Sequence, residues 1–546
     1  MASKQNPVVS TSLGKLEGKW NKAGSIASFN GVPYAQAPVG NLRWKAPQPL
    51  DGWEGTRSAH KFGNFAWQRR VEMFDFIFAL IEGQGWNSFK NFMLKSLLRI
   101  VPAPKQNEDC LYLNIKTPNL DSSAKLPVMV WIHGGDHQDG GSAEPFYVGE
   151  ALSKEGTVYV SINYRLGLMG YFAHPELSAE SEQGVSGNYG TLDQIAALQW
   201  VKDHIANFGG DPDKVTIFGE SAGGESVSHM MTSPLAQGLF HRAIMESPAN
   251  GGQMTQLKQS FSHYMSSEDQ GKHFAQVVGI SGPNQVGQLR ALPAKQLQKI
   301  CSSMSEWGSF YPTIDGYVLH DSPLAVFKRG EQAKVPLIIG SNKDEGTLIH
   351  FLLPGPVPEY RYEDLRGDKM MACLKTEFQE DVPRLLELYP GVENRAFESE
   401  QALLGHVMFG SKARYYAEKA AESGPASYFY HFTRIPPSAK QTAGSFHAAE
   451  ISFVHGTDSP LLPMDAKDKK LSRSMIKYWT QFAKSGNPNL EGEVQWDTFD
   501  ASKPQWMELG VEGPEMKDST MEENYAILNR RMERQMEEIG KLKEKV

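Results

Sequence analysis

The stretch VTIFGESAGGESVSHMM, residues 215–231, holds the residues best placed to do chemistry. An apolar run ends at Phe218 and leads into Gly219-Glu220-Ser221-Ala222-Gly223, and an amphipathic pattern follows. A serine in the pattern G-x-S-x-G, entered from a strand and left by a helix, is a nucleophile elbow. The tight turn forces the serine into a strained backbone conformation. Small flanking residues let strand and helix approach closely. The hydroxyl is then presented over a helix N-terminus, whose N–H groups favour negative charge. Ser221 is therefore the expected nucleophile of an acyl transfer.

A serine hydroxyl is weak at its ordinary pKa, so it needs a base and a group that orients the base. With an elbow of this kind the chain order is serine, acid, histidine. His229 and His241 lie too near the elbow, on the following helix or its exit, and read as structural. His447, in GSFHAAEISFVHG (444–456), sits among small residues ahead of an apolar run and is the expected base; His455 is the second candidate. The acid is expected in IIGSNKDEGTL (338–348), where Asp344 and Glu345 follow an apolar run. Carboxylates at the C-terminal end of a strand sit beside such an elbow in open sheets. Spacing alone does not separate the two.

A second chemical stretch is VMVWIHGGDHQDGG, residues 129–142, a buried strand that runs into glycine-rich turns. Asp136 follows Gly134 and Gly135, and His137 follows Asp136. Taken by themselves these residues fit a catalytic acid and base, a turn, or a metal site with Asp136, His137, Asp139 and Glu144 as ligands. Adjacent residues on a glycine loop rarely converge on one ion, and no CxxC or Cys/His cluster suggests zinc. No metal or cofactor is expected.

The elements around these residues read as α/β. Apolar runs at 126–133, 157–164, 214–220, 243–247, 335–342 and 426–433 look like buried strands. Between them, TLDQIAALQWVKDHIANF (191–208) puts Ile195, Leu198, Val201, Ile205 and Phe208 on one helical face. Strands alternating with helices predict a mostly parallel central sheet flanked by helices. No repeat or low-complexity linker divides the chain, so 1–546 reads as a single domain with insertions. Residues 66–103, rich in Phe, Leu and Ile, form an apolar lid-like insertion or a helix pair packed on the core. Residues 255–330 and 350–425 read as helical cap regions. In the C-terminal helix, 521–546, Tyr525, Leu528, Met532, Ile539, Leu542 and Val546 form a loose heptad that Gln535 interrupts. Such a helix is expected to dock on its own domain.

Composition narrows the class. A chain of 546 residues with 40% hydrophobic and 22% charged residues has enough apolar content for a large core. A net charge of −8 lacks the basic surplus of a nucleic-acid binder. No apolar run approaches the ~20 residues of a membrane span, so no stable membrane insertion is expected. The three widely spaced cysteines, Cys110, Cys301 and Cys373, make no disulfide framework. The polar N-terminus lacks the apolar core of a signal peptide. The expected setting is cytoplasmic, as a monomer or weak homo-oligomer.

With these residues in view, the chain resembles the type-B carboxylesterase/cholinesterase family of α/β-hydrolases. The resemblance runs from about residue 8 to 510 and rests on ordered matches. They include FNGVPYAQAPVGNLRWKAPQP (29–49), NEDCLYLNI (107–115), VWIHGG (130–135), NYRLGLMGYF (163–172), SNKDEGT (341–347) and FAKSGNPN (482–489). The resemblance implies an α/β-hydrolase fold and a serine esterase of bacterial type. It implies Ser221 as nucleophile, Glu345 as orienting carboxylate and His447 as base, with Glu220 as a buried glutamate beside them. Arg43, with Glu108 or Asp109, is implied as a structural ion pair. The bridge that relatives form from the cysteine of EDCLYLN is impossible here, because no cysteine precedes Cys110.

The resemblance also turns the opening loop into an oxyanion loop, whose N–H donors would be Gly135, Asp136 and Ala222. Asp136 departs from the small residue usual there. Its carboxylate is expected to turn aside onto the loop's own backbone, to line the pocket, or to help activate water with His137. The small-molecule partner is an ester, hydrophobic or bulky by the character of 66–103. Rival readings are a catalytically silent binding protein, and a metal-dependent hydrolase using the Asp136/His137 loop.

Overall fold

The computed structural model describes residues 5–68, 77–78, 80–83, 86–100, 104–249, 254–261, 265–304, 310–352, 367–436, 441–460 and 462–543. All six apolar runs form strands: Leu126–Ile132, Val158–Ile162, Gly210–Glu220, Arg242–Glu246, Leu337–Asn342 and Ser427–Phe432. They lie parallel, in the order Ser427–Phe432, Leu337–Asn342, Arg242–Glu246, Gly210–Glu220, Leu126–Ile132, Val158–Ile162. Their side chains alternate between two cores. Val128, Val130, Ile132, Ile217, Met245 and Ile339 enter one, and Met129, Trp131, Phe218, Ile244 and Ile338 enter the other. A strand covered on both faces has no polar side, which is why these runs are apolar throughout.

Five further strands extend the sheet, giving eleven among the described residues. Gln505–Gly510 continues it in parallel, and Gly513–Asp518 closes that edge antiparallel. Tyr112–Thr117, Ala27–Pro33 and Lys19–Trp20 extend the other side antiparallel. The sequence pattern had not marked these five. The reason is clearest for Gly513–Asp518, in which no residue is buried and charges fill positions 515, 517 and 518. An edge strand needs no apolar run and is protected by its charges.

The helical pattern at 191–208 is a helix over Tyr189–His204 that tightens into a 3₁₀ turn over Ile205–Phe208. In the insertion 66–103, Leu80 and Ile81 are buried, while helix Ser88–Ile100 exposes Phe89, Phe92 and Met93. Most of MFDFIFALI (73–81) lies outside the described residues. Residues 255–330 contain helices Ser267–Val278, Gln285–Ala291, Ala294–Ser302 and Pro323–Lys328. Residues 350–425 contain Asp368–Phe378, Val382–Leu388, Phe397–Gly405 and Ser411–Glu422. Helix Glu522–Lys543 buries Tyr525, Leu528, Met532 and Ile539 and pairs Glu522 with Arg414 at 2.8 Å. Among the described residues, no helix is long and apolar enough to cross a membrane.

Two ion pairs tie the frame to the loops. Arg43 binds Glu108 through two hydrogen bonds, 2.6 and 2.8 Å, whereas Asp109 accepts the Tyr112 phenol. Arg43 also donates to the Leu292 carbonyl at 2.8 Å, which anchors the 255–330 region. Arg165, just past strand Val158–Ile162, binds Asp193 on helix Tyr189–His204 by two bonds of 2.7 Å, and both side chains are buried. Asp193→Asn strips the counter-charge from a buried guanidinium. Loss of about 3–5 kcal/mol is expected, measured as a lower urea midpoint.

Candidate active site

The elbow forms where strand Gly210–Glu220 meets helix Ala222–Thr232. Ser221 has φ 57° and ψ −124°, a conformation that a side chain rarely adopts. Its N–H donates to the Glu246 carbonyl at 2.9 Å, which pins the turn to the next strand. A Cβ on Gly223 would stand 2.1 Å from the Ile132 carbonyl oxygen. Only glycine lets the helix come so near the strand that carries the HGGD loop.

Five neighbouring parallel strands deliver the site. Leu126–Ile132 leads to the HGGD loop, Gly210–Glu220 to Ser221, Arg242–Glu246 to Ser247 and Leu337–Asn342 to Glu345. His447 follows strand Ser427–Phe432 at the end of a loop. Ligands gather at such C-terminal strand ends in α/β sheets.

His447 and Glu345 are both buried, with Nδ1 2.6 Å from Glu345 Oε2. A carboxylate partner places the proton on Nδ1 and leaves Nε2 for the elbow. Nε2 lies 3.2 Å from Glu220 Oε1, one residue before Ser221. The second Glu345 oxygen accepts the Ser247 hydroxyl at 2.5 Å and the Asn342 N–H at 2.7 Å. Asp344, the acid that spacing left open, does a different task. Its Oδ2 accepts the Ser445 N–H at 2.7 Å and so holds the loop that carries His447. Phe409 stacks on the His447 ring at 4.3 Å.

Charge is crowded here. Burial pushes His447 down, but Glu220 and then Glu345 outweigh it and carry the ring up to about 9. Burial drives Glu220 well above the carboxylate range, with His447 pulling it back. Each of the two thus favours the charged form of the other, while burial opposes both charges. Glu450, buried beside them, rises to about 7 through burial and then the Glu345 charge.

The HGGD loop packs directly on the elbow. A Cβ on Gly134 would meet the Glu220 carbonyl oxygen at 2.7 Å and Ser221 Cβ at 3.2 Å. Gly135, Asp136 and His137 follow with φ of 103°, 53° and 55°. Ala222 is buried at the start of the elbow helix. The Asp136 carboxylate is exposed and accepts the Tyr311 phenol at 2.7 Å. His137 is buried against Glu225, and Glu144 is held up to about 7 by burial. Among the described residues, no three His, Cys, Asp or Glu side chains are grouped to hold a metal ion.

The other histidines go elsewhere. His455 packs among Trp131, Tyr159 and Phe218, and burial pushes it down to about 4. His229 is buried on the elbow helix, and His241 accepts from the Val215 N–H. Sequence reasoning missed Ser247, Glu225, Phe409, Glu450 and Tyr311. Ser247 ended a marked strand run beside the elbow, and Glu225 lay one turn past Ser221, so both carried a signal. Phe409 and Tyr311 had none, since they arrive from the helical insertions.

Residues 5–528 match the carboxylesterase family. The chain is 35% identical to Carboxylesterase 1C of Mus musculus over 92% of its length and 89% of that protein. It is 34% identical to the para-nitrobenzyl esterase of Bacillus subtilis (strain 168), over 90% of this chain and 92% of that one. A solved structure of PNB esterase superposes with a TM-score of 0.77 at 31% identity, covering 96% of this chain and all of that one. The match spans the elbow, the acid, the histidine and the glycine loop alike, and with it the chain belongs to the carboxylesterase family of α/β-hydrolases, the serine hydrolases of carboxylic esters.

Proposed function

We propose that Ser221, His447 and Glu345 hydrolyse carboxylic esters through an acyl-enzyme. The observation that carries this reading is the buried 2.6 Å contact of His447 with Glu345, whose other ring nitrogen faces the residue before Ser221. His447 takes the Ser221 proton as the hydroxyl attacks the ester carbonyl. Glu345 holds the ring and stabilises the imidazolium. Gly135, Asp136 and Ala222 donate N–H groups to the oxyanion, where preorganised donors act in a site shielded from water. His447 then protonates the leaving alcohol. Water, deprotonated by the same ring, attacks the acyl-enzyme and releases the acid.

The substrates are hydrophobic or bulky esters rather than small acetates. Phe409 on the His447 ring belongs to an apolar cluster with Ala249, Ile349, Leu404 and Met408, which supports that class. The Tyr311 hydrogen bond engages the Asp136 charge at the mouth of the site, and supports a backbone role for Asp136. A small-molecule ester is the one partner this reaction requires. Three buried thiols fit a cytoplasmic enzyme.

Ser221→Ala should lower turnover of a p-nitrophenyl ester by about a thousandfold or more and leave the urea midpoint in place. Turnover retained in that variant overturns the assignment. In a series of p-nitrophenyl acyl chains, kcat/KM should rise from acetate to octanoate; a fall along the series rejects the substrate class. The base must be neutral to work, so kcat/KM should drop as pH falls through the His447 pKa. Glu220→Gln removes a charge that favours the imidazolium. It should therefore move that acidic limb to lower pH, by about one unit.

A further inference from the structure

Behind the oxyanion loop lies a set of buried titratable groups that the reaction above does not use. His137, Glu225 and His229 are all buried. Glu225 lies between the rings, with Oε2 3.5 Å from His137 Nε2 and Oε1 3.7 Å from His229 Nε2. The two imidazoles stack at 5.9 Å with 19° between their planes. His137 Nδ1 faces the Tyr171 phenol at 3.3 Å. With that O–H donating to Nδ1, the imidazole carries its proton on Nε2, toward the carboxylate. Burial pushes Glu225 up, yet the neighbouring His137 and His229 rings bring it below the usual carboxylate value.

Glu225 thereby touches both halves of the site. Its N–H donates to the Ser221 carbonyl at 2.8 Å, in the first turn of the elbow helix. Its side chain reaches the residue that follows Asp136. The loop needs such a hold, because Asp136 and His137 are consecutive non-glycine residues with positive φ. Such a conformation persists only where the surroundings over-determine it. The Gly167 N–H, which binds the His137 carbonyl at 2.7 Å, fixes the main chain on one side. The Glu225 contact fixes the side chain on the other.

We propose that Glu225 is a positioning residue for the oxyanion hole: through His137 it holds the N–H groups of Gly135 and Asp136 at the spacing from Ala222 that a tetrahedral oxyanion requires. This rests on the reading of those three residues as the oxyanion donors. A misplacement of about 1 Å costs up to about a hundredfold in rate. The pair should act as one unit, since each member works only through the other.

The test uses Glu225→Gln, His137→Phe, the double variant and His137→Gln in the full chain. Kinetics on p-nitrophenyl butyrate are paired with inhibition by an alkyl trifluoromethyl ketone, which adds to the serine and leaves an oxyanion in the hole. In Glu225→Gln and in His137→Phe, kcat should fall about tenfold to a hundredfold with KM little changed. The ketone inhibition constant should rise by the same factor. The double variant should lose no more than either single one. His137→Gln, which offers an amide donor to the carboxylate, should recover part of the loss seen in His137→Phe. A lower urea midpoint with kcat and ketone affinity intact overturns the proposal, as do losses that multiply in the double variant. If Glu225→Gln does not fold, the two His137 variants decide, and equal kcat and equal ketone affinity in them reject it. If the ketone fails to inhibit the unmodified enzyme, the oxyanion-hole reading itself falls and takes the proposal with it.

Discussion

Helix Ala222–Thr232 and strand Leu126–Ile132 meet at one backbone carbonyl, that of Ile132, and the site is built outward from that contact. Cβ atoms on Gly219 and Gly223 would stand 2.5 and 2.1 Å from its oxygen. The absence of both is what lets Ser221 turn through φ 57° with the helix N-terminus beneath it. The HGGD loop begins one residue beyond Ile132, so the same contact sets how far the loop lies from the serine. The Glu246 carbonyl, which accepts the Ser221 N–H, fixes the turn from the other side. A strained serine between two strand ends gives both nucleophile and loop a fixed origin. It is stable there because the parallel sheet around it is buried on both faces.

The second cost of this design is electrostatic. Glu220, Glu246, Glu345 and Glu450 are all buried near one imidazole. Buried carboxylates are tolerated where each is hydrogen-bonded or protonated. Glu345 has His447, Ser247 and the Asn342 N–H; Glu246 has the Trp479 indole at 2.7 Å; Glu450 has the Asn342 amide. Glu220 has His447, whose Nε2 lies 3.2 Å from its Oε1. Glu220, Glu246 and Glu345 come from the ends of three successive strands, and Glu450 from the start of helix Ile451–His455.

The insertions answer what the frame leaves open. Tyr311, between helices of the 255–330 region, meets the carboxylate that Asp136 brings into the HGGD loop. Phe409, from the 350–425 region, lies on the His447 ring. The 66–103 insertion touches the segment that leads to His447, since the Thr442 N–H donates to the Gly83 carbonyl at 2.8 Å. Each inserted segment thus packs against the site or against a loop that carries it, while the candidate residues themselves lie past the ends of the central strands.

By itself the sequence determined the strands that carry the site, the expected nucleophile Ser221, and a short set of candidate partners: Asp344 or Glu345 as acid and His447 or His455 as base. Those strands are buried on both faces and read as unbroken apolar runs, and the elbow's glycines sit where no side chain fits. The separation of Asp344 from Glu345 was different, because adjacent residues share one spacing. Tertiary structure decided it, by turning Glu345 to His447 and Asp344 to the Ser445 N–H. The fate of Asp136 likewise depended on Tyr311, 175 residues away. The edge strand Gly513–Asp518 left no apolar run because none of its residues is fully buried. Periodicity records which face of an element is covered. Which distant side chain meets a carboxylate is decided only when the chain closes on itself.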